Sequence, residues 1–307
     1  MVSAYRIERP LGTGGMGWVY HARHAIDGRD VALKVLREEQ VRHERAIDRM
    51  MREAQVLATV SHGGIPQFHE CGLLADGRPW IAMELVAGTP LSLRIAEGVI
   101  DHDAVIDIVA SVAGVLHAAH QRGVTHRDLK PDNILLTPHD ALYPLRVIDW
   151  GIAFHDTGAR YTNHDEAIGT PTYMAPEQAR GGPTDGYCDV YGLGVVAYQA
   201  LTGRPPFVGS TSVEILVQHL NRPVPALAPR CPDAPFALVE LVERMLAKKY
   251  QDRPTASEVQ GALSALRIEW SAPTHTVYFV DGASEGTAPV IRCDVEPATV
   301  LMRPPLH

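Results

Sequence analysis

The sequence predicts an α+β fold in two unlike parts: a five-stranded antiparallel sheet with one helix over residues 5–85, then a mainly helical part over residues 89–267. Two patterns carry this. Up to residue 85, apolar residues sit in short alternating runs broken by glycine- and aspartate-containing turns, as strands require. Beyond residue 89 they recur at helical spacing over long stretches. The hydrophobic fraction, 46% of 307 residues, is ample for a core.

In order, Ile7 to Leu11 leads into Gly12-Thr13-Gly14-Gly15-Met16-Gly17, a GxGxxG pattern. A dinucleotide-binding reading would need a helix directly after these glycines. Instead Trp18-Val19-Tyr20-His21-Ala22-Arg23 alternates and is rich in aromatic and β-branched residues, so it is a strand and the glycines form a hairpin. Asp27-Gly28 turns the chain into a further strand, Val31-Ala32-Leu33-Lys34-Val35-Leu36, whose Lys34 has unusually apolar company. Glu38 to Thr59 is helix-favouring, with Ile47, Met50, Met51, Ala54 and Leu57 as its apolar stripe. Glu53 lies near that stripe, where a helix packed on the sheet brings it to Lys34. Gln67 to Leu73 and Trp80 to Leu85 are strands joined by an Asp76-Gly77 turn.

After the connector Val86-Ala87-Gly88-Thr89-Pro90, helices are expected over Ala104 to Gln121, Asp189 to Leu201, Val213 to Leu220, Phe236 to Ala247 and Ala256 to Leu266. Two short strands, Asn133 to Thr137 and Leu145 to Ile148, follow the first of these, and Phe154 to Ile168 has no periodicity and reads as a loop. The tail, 271–307, has strand-like pieces and is too short for a core of its own.

A net charge of −8 argues against a nucleic-acid binder working through a basic face. The four cysteines are far apart in sequence, so there is no CxxC motif. His117 and His120 share a helix face without a third ligand nearby, and read as packing rather than metal binding. No secretory leader opens the sequence, and no run of about eighteen apolar residues is present. A cytoplasmic protein without a membrane span is the expectation.

The densest chemistry lies in His126-Arg127-Asp128-Leu129-Lys130-Pro131-Asp132-Asn133, flanked by Val124 and by Ile134-Leu135-Leu136. Polar groups held between buried segments are either paired or put to use. Asp149-Trp150-Gly151 adds an acid at a strand end, beside a glycine.

Taken together and in order, these segments resemble the protein kinase signature set, in the serine/threonine branch found in bacteria. The resemblance covers roughly Tyr5 to Arg267 and implies a bilobal protein kinase fold, with an N-lobe over 5–85 and a C-lobe over 89–267. It implies that Leu11, Gly12, Thr13, Gly14, Gly15, Met16, Gly17, Trp18 and Val19 form the loop over the ATP phosphates. Ala32, Met83, Glu84, Val86 and Leu135 would line the adenine pocket, and Lys34, paired with Glu53, would hold the α- and β-phosphates. Asp128 would be the base, Lys130 would neutralise charge on the γ-phosphate, and Asn133 and Asp149 would hold Mg2+ or Mn2+. Ala175-Pro176-Glu177 would close the activation segment against Arg253, and Asp189 would steady the catalytic loop.

The implied activity is ATP-dependent phosphorylation of protein Ser/Thr hydroxyls. Arg127 implies autophosphorylation at Thr162, Thr157 or both, with Thr172 a weaker candidate; reaction in trans would take a kinase–kinase dimer. Retention of Lys34, Glu53, Asp128, Asn133 and Asp149 disfavours a pseudokinase scaffold. The segment Gly169 to Glu177 disfavours a small-molecule phosphotransferase. Two departures stand out: Trp150 where phenylalanine is usual, and His62-Gly63-Gly64 in place of the common His-Pro-Asn, which is expected to loosen that turn.

Overall fold

The structure, a computed structural model, describes residues 2–13, 17–40, 44–137, 143–150, 171–182 and 184–271. The chain divides into two compact units, 1–265 and 266–307. Gly14, Gly15, Met16, Gly151, Thr157, Thr162, the loop 154–168, Gly169 and, Ser271 apart, the tail lie outside the described residues.

The N-terminal sheet has the expected five antiparallel strands, in the order β1-β2-β3-β5-β4. They are β1 (Tyr5–Thr13), β2 (Gly17–His24), β3 (Asp30–Leu36), β4 (Phe68–Leu73) and β5 (Pro79–Glu84). Strand alternation gives the sheet two faces. Val31, Leu33 and Val35 of β3 join Tyr5, Ala22, Trp80 and Ala82 in one core cluster. Ala32 and Lys34 point the other way, toward the cleft, and Lys34 is aligned with Val19 of β2 and Ile81 of β5.

Helix α1 (Glu44–Thr59) packs on β3, β4 and β5. It starts later than the sequence suggests, because Glu38–Gln40 forms a separate 3-10 turn. Its buried stripe is Ala46, Met50, Glu53, Ala54 and Leu57, whereas Met51 is exposed. The acid is therefore part of the apolar face rather than beside it.

The helical part has α2 (Leu91–Ala96), α3 (His102–His120), α4 (Pro176–Ala179), α5 (Gly186–Thr202), α6 (Ser212–Asn221), α7 (Phe236–Met245) and α8 (Ala256–Ser271). Helix α5 is buried nearly all round and is the core against which α3 and α7 pack. Its N-terminus is capped by Asp185, which accepts from Tyr187 N, and Gly203 ends it in the left-handed region at φ 77°. Thr255 and Glu258 form a reciprocal capping box at the start of α8. Among the described residues α3 alone is long and apolar enough to cross a membrane, and half of its apolar window is buried in the fold, as in a core helix.

The helical part also carries a small sheet: β6 (Thr89–Pro90), β7 (Ile134–Leu136) and β8 (Leu145–Val147). The loop 126–133 enters β7 through a 3-10 turn at Pro131–Asn133, and Asp149 follows β8.

Candidate active site

The site begins with a buried cation. The Lys34 ammonium donates to both Glu53 oxygens, at 2.9 and 2.8 Å, and to Asp149 Oδ1 at 3.0 Å. These three bonds use all three ammonium protons. The Lys34 and Glu53 side chains are 6% and 2% exposed, while that of Asp149 is 44% exposed to the cleft. Burial opposes the charge on Lys34, but the two carboxylates outweigh it and hold its pKa above the usual lysine value. Burial likewise opposes the charge on Asp149, and the ammonium beside it keeps its pKa below the usual carboxylate value.

The polar loop is built on Asp189, fully buried on α5. Its Oδ2 accepts from His126 N at 2.8 Å and its Oδ1 from Arg127 N at 2.7 Å. His120 Nε2 lies 2.8 Å from Oδ2, so this histidine serves the loop rather than a metal. Arg127 takes a left-handed φ of 66°, a conformation that costs on the order of 1–3 kcal/mol for a non-glycine residue. The cost is met by pinning the residue at both ends, its amide by Asp189 and its carbonyl by Gln178 Nε2 at 2.9 Å. Asp149 is held in the same region, at φ 54°.

From this loop Asp128 projects with its side chain 48% exposed, and Lys130 Nζ lies 2.8 Å from its Oδ2. Asn133 is buried, and its Nδ2 donates to the Asp128 carbonyl at 2.9 Å. That bond fixes the carboxamide and leaves Oδ1 as its accepting oxygen. His126 Nε2 lies 3.0 Å from the Ile148 carbonyl, and Ile148 N donates to the Asn133 carbonyl at 2.9 Å. The loop and the strand leading to Asp149 are thus stitched together from both sides. A carboxamide oxygen and a carboxylate form a hard oxygen donor set, the chemistry a divalent cation of the Mg2+ class requires. Trp150 is 1% exposed, its ring centroid is 4.9 Å from that of His126, and its Nε1 donates to Val147 O at 2.8 Å. The larger ring is absorbed beneath the loop.

The expected nucleotide-lining residues divide. Val19, Ala32, Lys34 and Met83 lie on adjacent strands of the sheet in one register. Gly17 is needed where it stands, since a Cβ there would lie 2.5 Å from Val35 O. Gly88 lies so close to β7 that a Cβ would sit 3.1 Å from Leu135 Cβ, which brings the Val86 connector over Leu135. Trp18 does not turn toward the cleft: its ring stacks near Tyr20 and under Arg37, so only its backbone is available. The Glu84 side chain is likewise committed elsewhere, to Arg146 at 3.2 Å and Gln67 N at 3.0 Å. Leu11, 40% exposed, and Gly12 lie on the outer strand β1, and Thr13 ends it.

On the far side of the loop, Glu177 and Arg253 form a two-point pair at 2.6 and 2.8 Å, with both residues buried. Thr172 lies in a 3-10 turn, Pro171–Tyr173, and is buried. Gln178 and His120 had no identifying sequence signal, because their partners are far away in the chain.

Residues 5–262 match the family model for the protein kinase domain. The chain belongs to the protein kinase family. This kinase domain is 39% identical over 252 residues to the serine/threonine-protein kinase Pkn1 of Myxococcus xanthus, covering 81% of the chain and 36% of that protein. It is 37% identical over 309 residues to the serine/threonine-protein kinase PknB of Mycolicibacterium smegmatis, covering 98% of the chain and 47% of that protein. The chain therefore spans less than half the length of these two curated relatives. Among solved structures, the PknI kinase domain of Mycobacterium tuberculosis matches at a TM-score of 0.67 and 30% identity, covering 86% of this chain and 96% of that one. The kinase fold and its bilobal arrangement of sheet and helices are therefore established.

Proposed function

We propose that this kinase domain transfers the γ-phosphate of ATP to Ser/Thr hydroxyls of protein substrates. The observation that carries the reading is the Lys34 ammonium, held between buried Glu53 and cleft-facing Asp149. A pseudokinase has no need to keep that cation, both acids, Asp128 and Asn133 in one connected network.

Phosphoryl transfer depends mainly on positioning and on neutralising charge. Lys34 offers its charge to the phosphates of bound ATP, and its bond to exposed Asp149 is the one that yields most easily. Asp128 orients the substrate hydroxyl and accepts its proton, and Lys130 at 2.8 Å supplies positive charge beside the transferred group. Asn133 and Asp149 would hold a divalent cation, which when bound neutralises phosphate charge. Magnesium suits their hard oxygen donors, with manganese as a substitute. The glycine loop and the residues Val19, Ala32, Met83, Val86 and Leu135 would seat the nucleotide.

The domain would comprise residues 5–267. Phosphorylation of Thr162, Thr157 or both, in trans within a kinase pair, is proposed with Arg127 as the phosphate's partner, and phosphopeptide mapping after incubation with Mg-ATP would read it. The three described cysteines are unpaired, which supports action in a reducing, cytoplasmic compartment.

The test is transfer from labelled ATP to a generic protein substrate. The native chain should label it, and Asp128→Ala and Lys34→Met should each abolish labelling. Label transfer surviving both substitutions would refute this site.

A further inference from the structure

Tyr143, in the turn before β8, reaches three separate elements. Its phenol donates to the Ser111 carbonyl on α3 at 2.7 Å. Its ring meets the edge of His62, with centroids 4.9 Å apart at 77°. Its ring also lies against the backbone of Gly63 and Gly64: a Cβ at Gly63 would stand 3.3 Å from Tyr143 Cβ, and one at Gly64 would stand 2.9 Å from Cε1 and collide with Val115.

The turn after α1 is therefore pinned, not loosened. The two glycines leave the room that the tyrosine ring occupies. His62 Nδ1 accepts from Gly64 N at 3.0 Å, and Ile65 N donates to His62 O at 3.0 Å, closing the turn on itself.

Both outputs of this junction lead to the site. Upstream, the turn continues from α1, which carries Glu53. Downstream, the Gly64 carbonyl accepts from Val147 N at 2.8 Å, on the strand that delivers Asp149. The Tyr143 carbonyl accepts from Arg146 at 3.2 Å and from Thr137 Oγ1 at 3.0 Å, fixing the ring's own backbone to the same small sheet. One side chain thus sets the end of the helix behind Glu53 and the strand before Asp149 against helix α3.

We propose that Tyr143 is a positioning residue for the Lys34–Glu53–Asp149 network, acting as a wedge between α3 and the glycine turn that follows α1. This rests on the kinase reading for its catalytic consequence, but not for its structural one. The ring makes the contacts to the turn, and the hydroxyl makes the bond to α3.

The test compares the native chain with Tyr143→Ala and Tyr143→Phe, using Mg-ATP and dephosphorylated casein, alongside hydrogen exchange of the α1 amides. Tyr143→Ala should lower kcat/KM at least tenfold, with the KM for ATP raised, and should speed exchange in the last turns of α1 while α5 stays protected. Tyr143→Phe, which keeps the ring but loses the bond to Ser111, should lie between native and Tyr143→Ala in rate and in exchange. If Tyr143→Ala does not fold, Tyr143→Leu reads the same quantities, since it keeps apolar volume without the flat ring. A folded Ala or Leu variant with native kinetics and native α1 exchange would overturn the proposal, as would activity lost only in proportion to the unfolded fraction. A native chain that transfers no phosphate would instead overturn the kinase reading, and the exchange measurement would still decide the wedge.

Discussion

Arg253 spends every one of its five N–H donors. Two go to Glu177, and the others go to the carbonyls of Ala247, Tyr187 and Lys248 at 2.7, 3.0 and 3.3 Å. A lysine has three donors and no fork, so Arg253→Lys leaves half-buried carbonyls unpaired beside a buried carboxylate. The expected loss is on the order of 3 kcal/mol, the scale of breaking a buried ion pair. Urea unfolding of the two proteins would measure it, and an unchanged midpoint would show that the fork is dispensable.

Asp189 faces four donors with two oxygens: the amides of His126 and Arg127, His120 Nε2 and the Cys188 thiol. Asp189→Asn turns an amide N–H2 toward a backbone N–H, so either His126 or Arg127 loses its acceptor. The strained φ of Arg127 then loses one of its two pins. A fall in kcat of at least tenfold is expected, with the KM for ATP within about threefold, because the nucleotide-lining strands are untouched. Steady-state kinetics at varied ATP would separate the two constants, and a rise confined to KM would count against a role in placing Asp128.

Glu53→Gln keeps the shape of the Lys34 partner and removes its charge. Lys34 is then left to Asp149, the acid facing the cleft, and is less free to meet phosphate. The KM for ATP should rise about tenfold, equivalent to ~1.4 kcal/mol. Nucleotide titration of the variant would test this, and native affinity would mean that Glu53 only packs.

His219 is completely buried on α6, its Nδ1 2.9 Å from the Tyr191 hydroxyl, its ring against Phe207, and its carbonyl accepting from Lys248. Burial, with the Lys248 ammonium adding to it, pushes its pKa down to about 4 from the ordinary 6.5. The folded state thus binds this proton less readily than the unfolded chain. The contribution to stability is complete above about pH 6.5 and is lost as pH falls toward 4, an effect on the order of 3 kcal/mol. Denaturant melts across that window should show the slope, and His219→Gln should lower the plateau but flatten the slope. An equal slope in the variant would assign the acid loss to other groups.

The legible parts of this molecule are the local ones. Strand alternation marked Lys34 as a cation in apolar company, and helical spacing placed Glu53 near the buried stripe. The order of the motifs then fixed the loop at Asp128 and the acid at Asp149. What was not legible depends on contacts between distant segments or on backbone torsion. Nothing near Tyr143 in sequence announces the glycine turn it fills, and nothing near Gln178 points to Arg127. The late start of α1 was hidden because Glu38 and Glu39 suit a helix by propensity, yet form a 3-10 turn. Trp18 was placed in the glycine loop by motif, and strand pairing with Val35 turns its ring to the face opposite Lys34.

Lys34 lies on the middle strand of its sheet, with ladders on both sides aligning it with Val19 and Ile81. This decides where the lobe can change length. One residue added inside β2, β3 or β5 would turn Lys34 to the wrong face or break two ladders at once. The hairpin tips at Gly28 and Gly77, with φ of 71° and 84° and open space around them, bear no such constraint. Growth and variation of this lobe are thereby channelled to its outer ends, and a peptide or reporter inserted at either tip would leave the cation in its place.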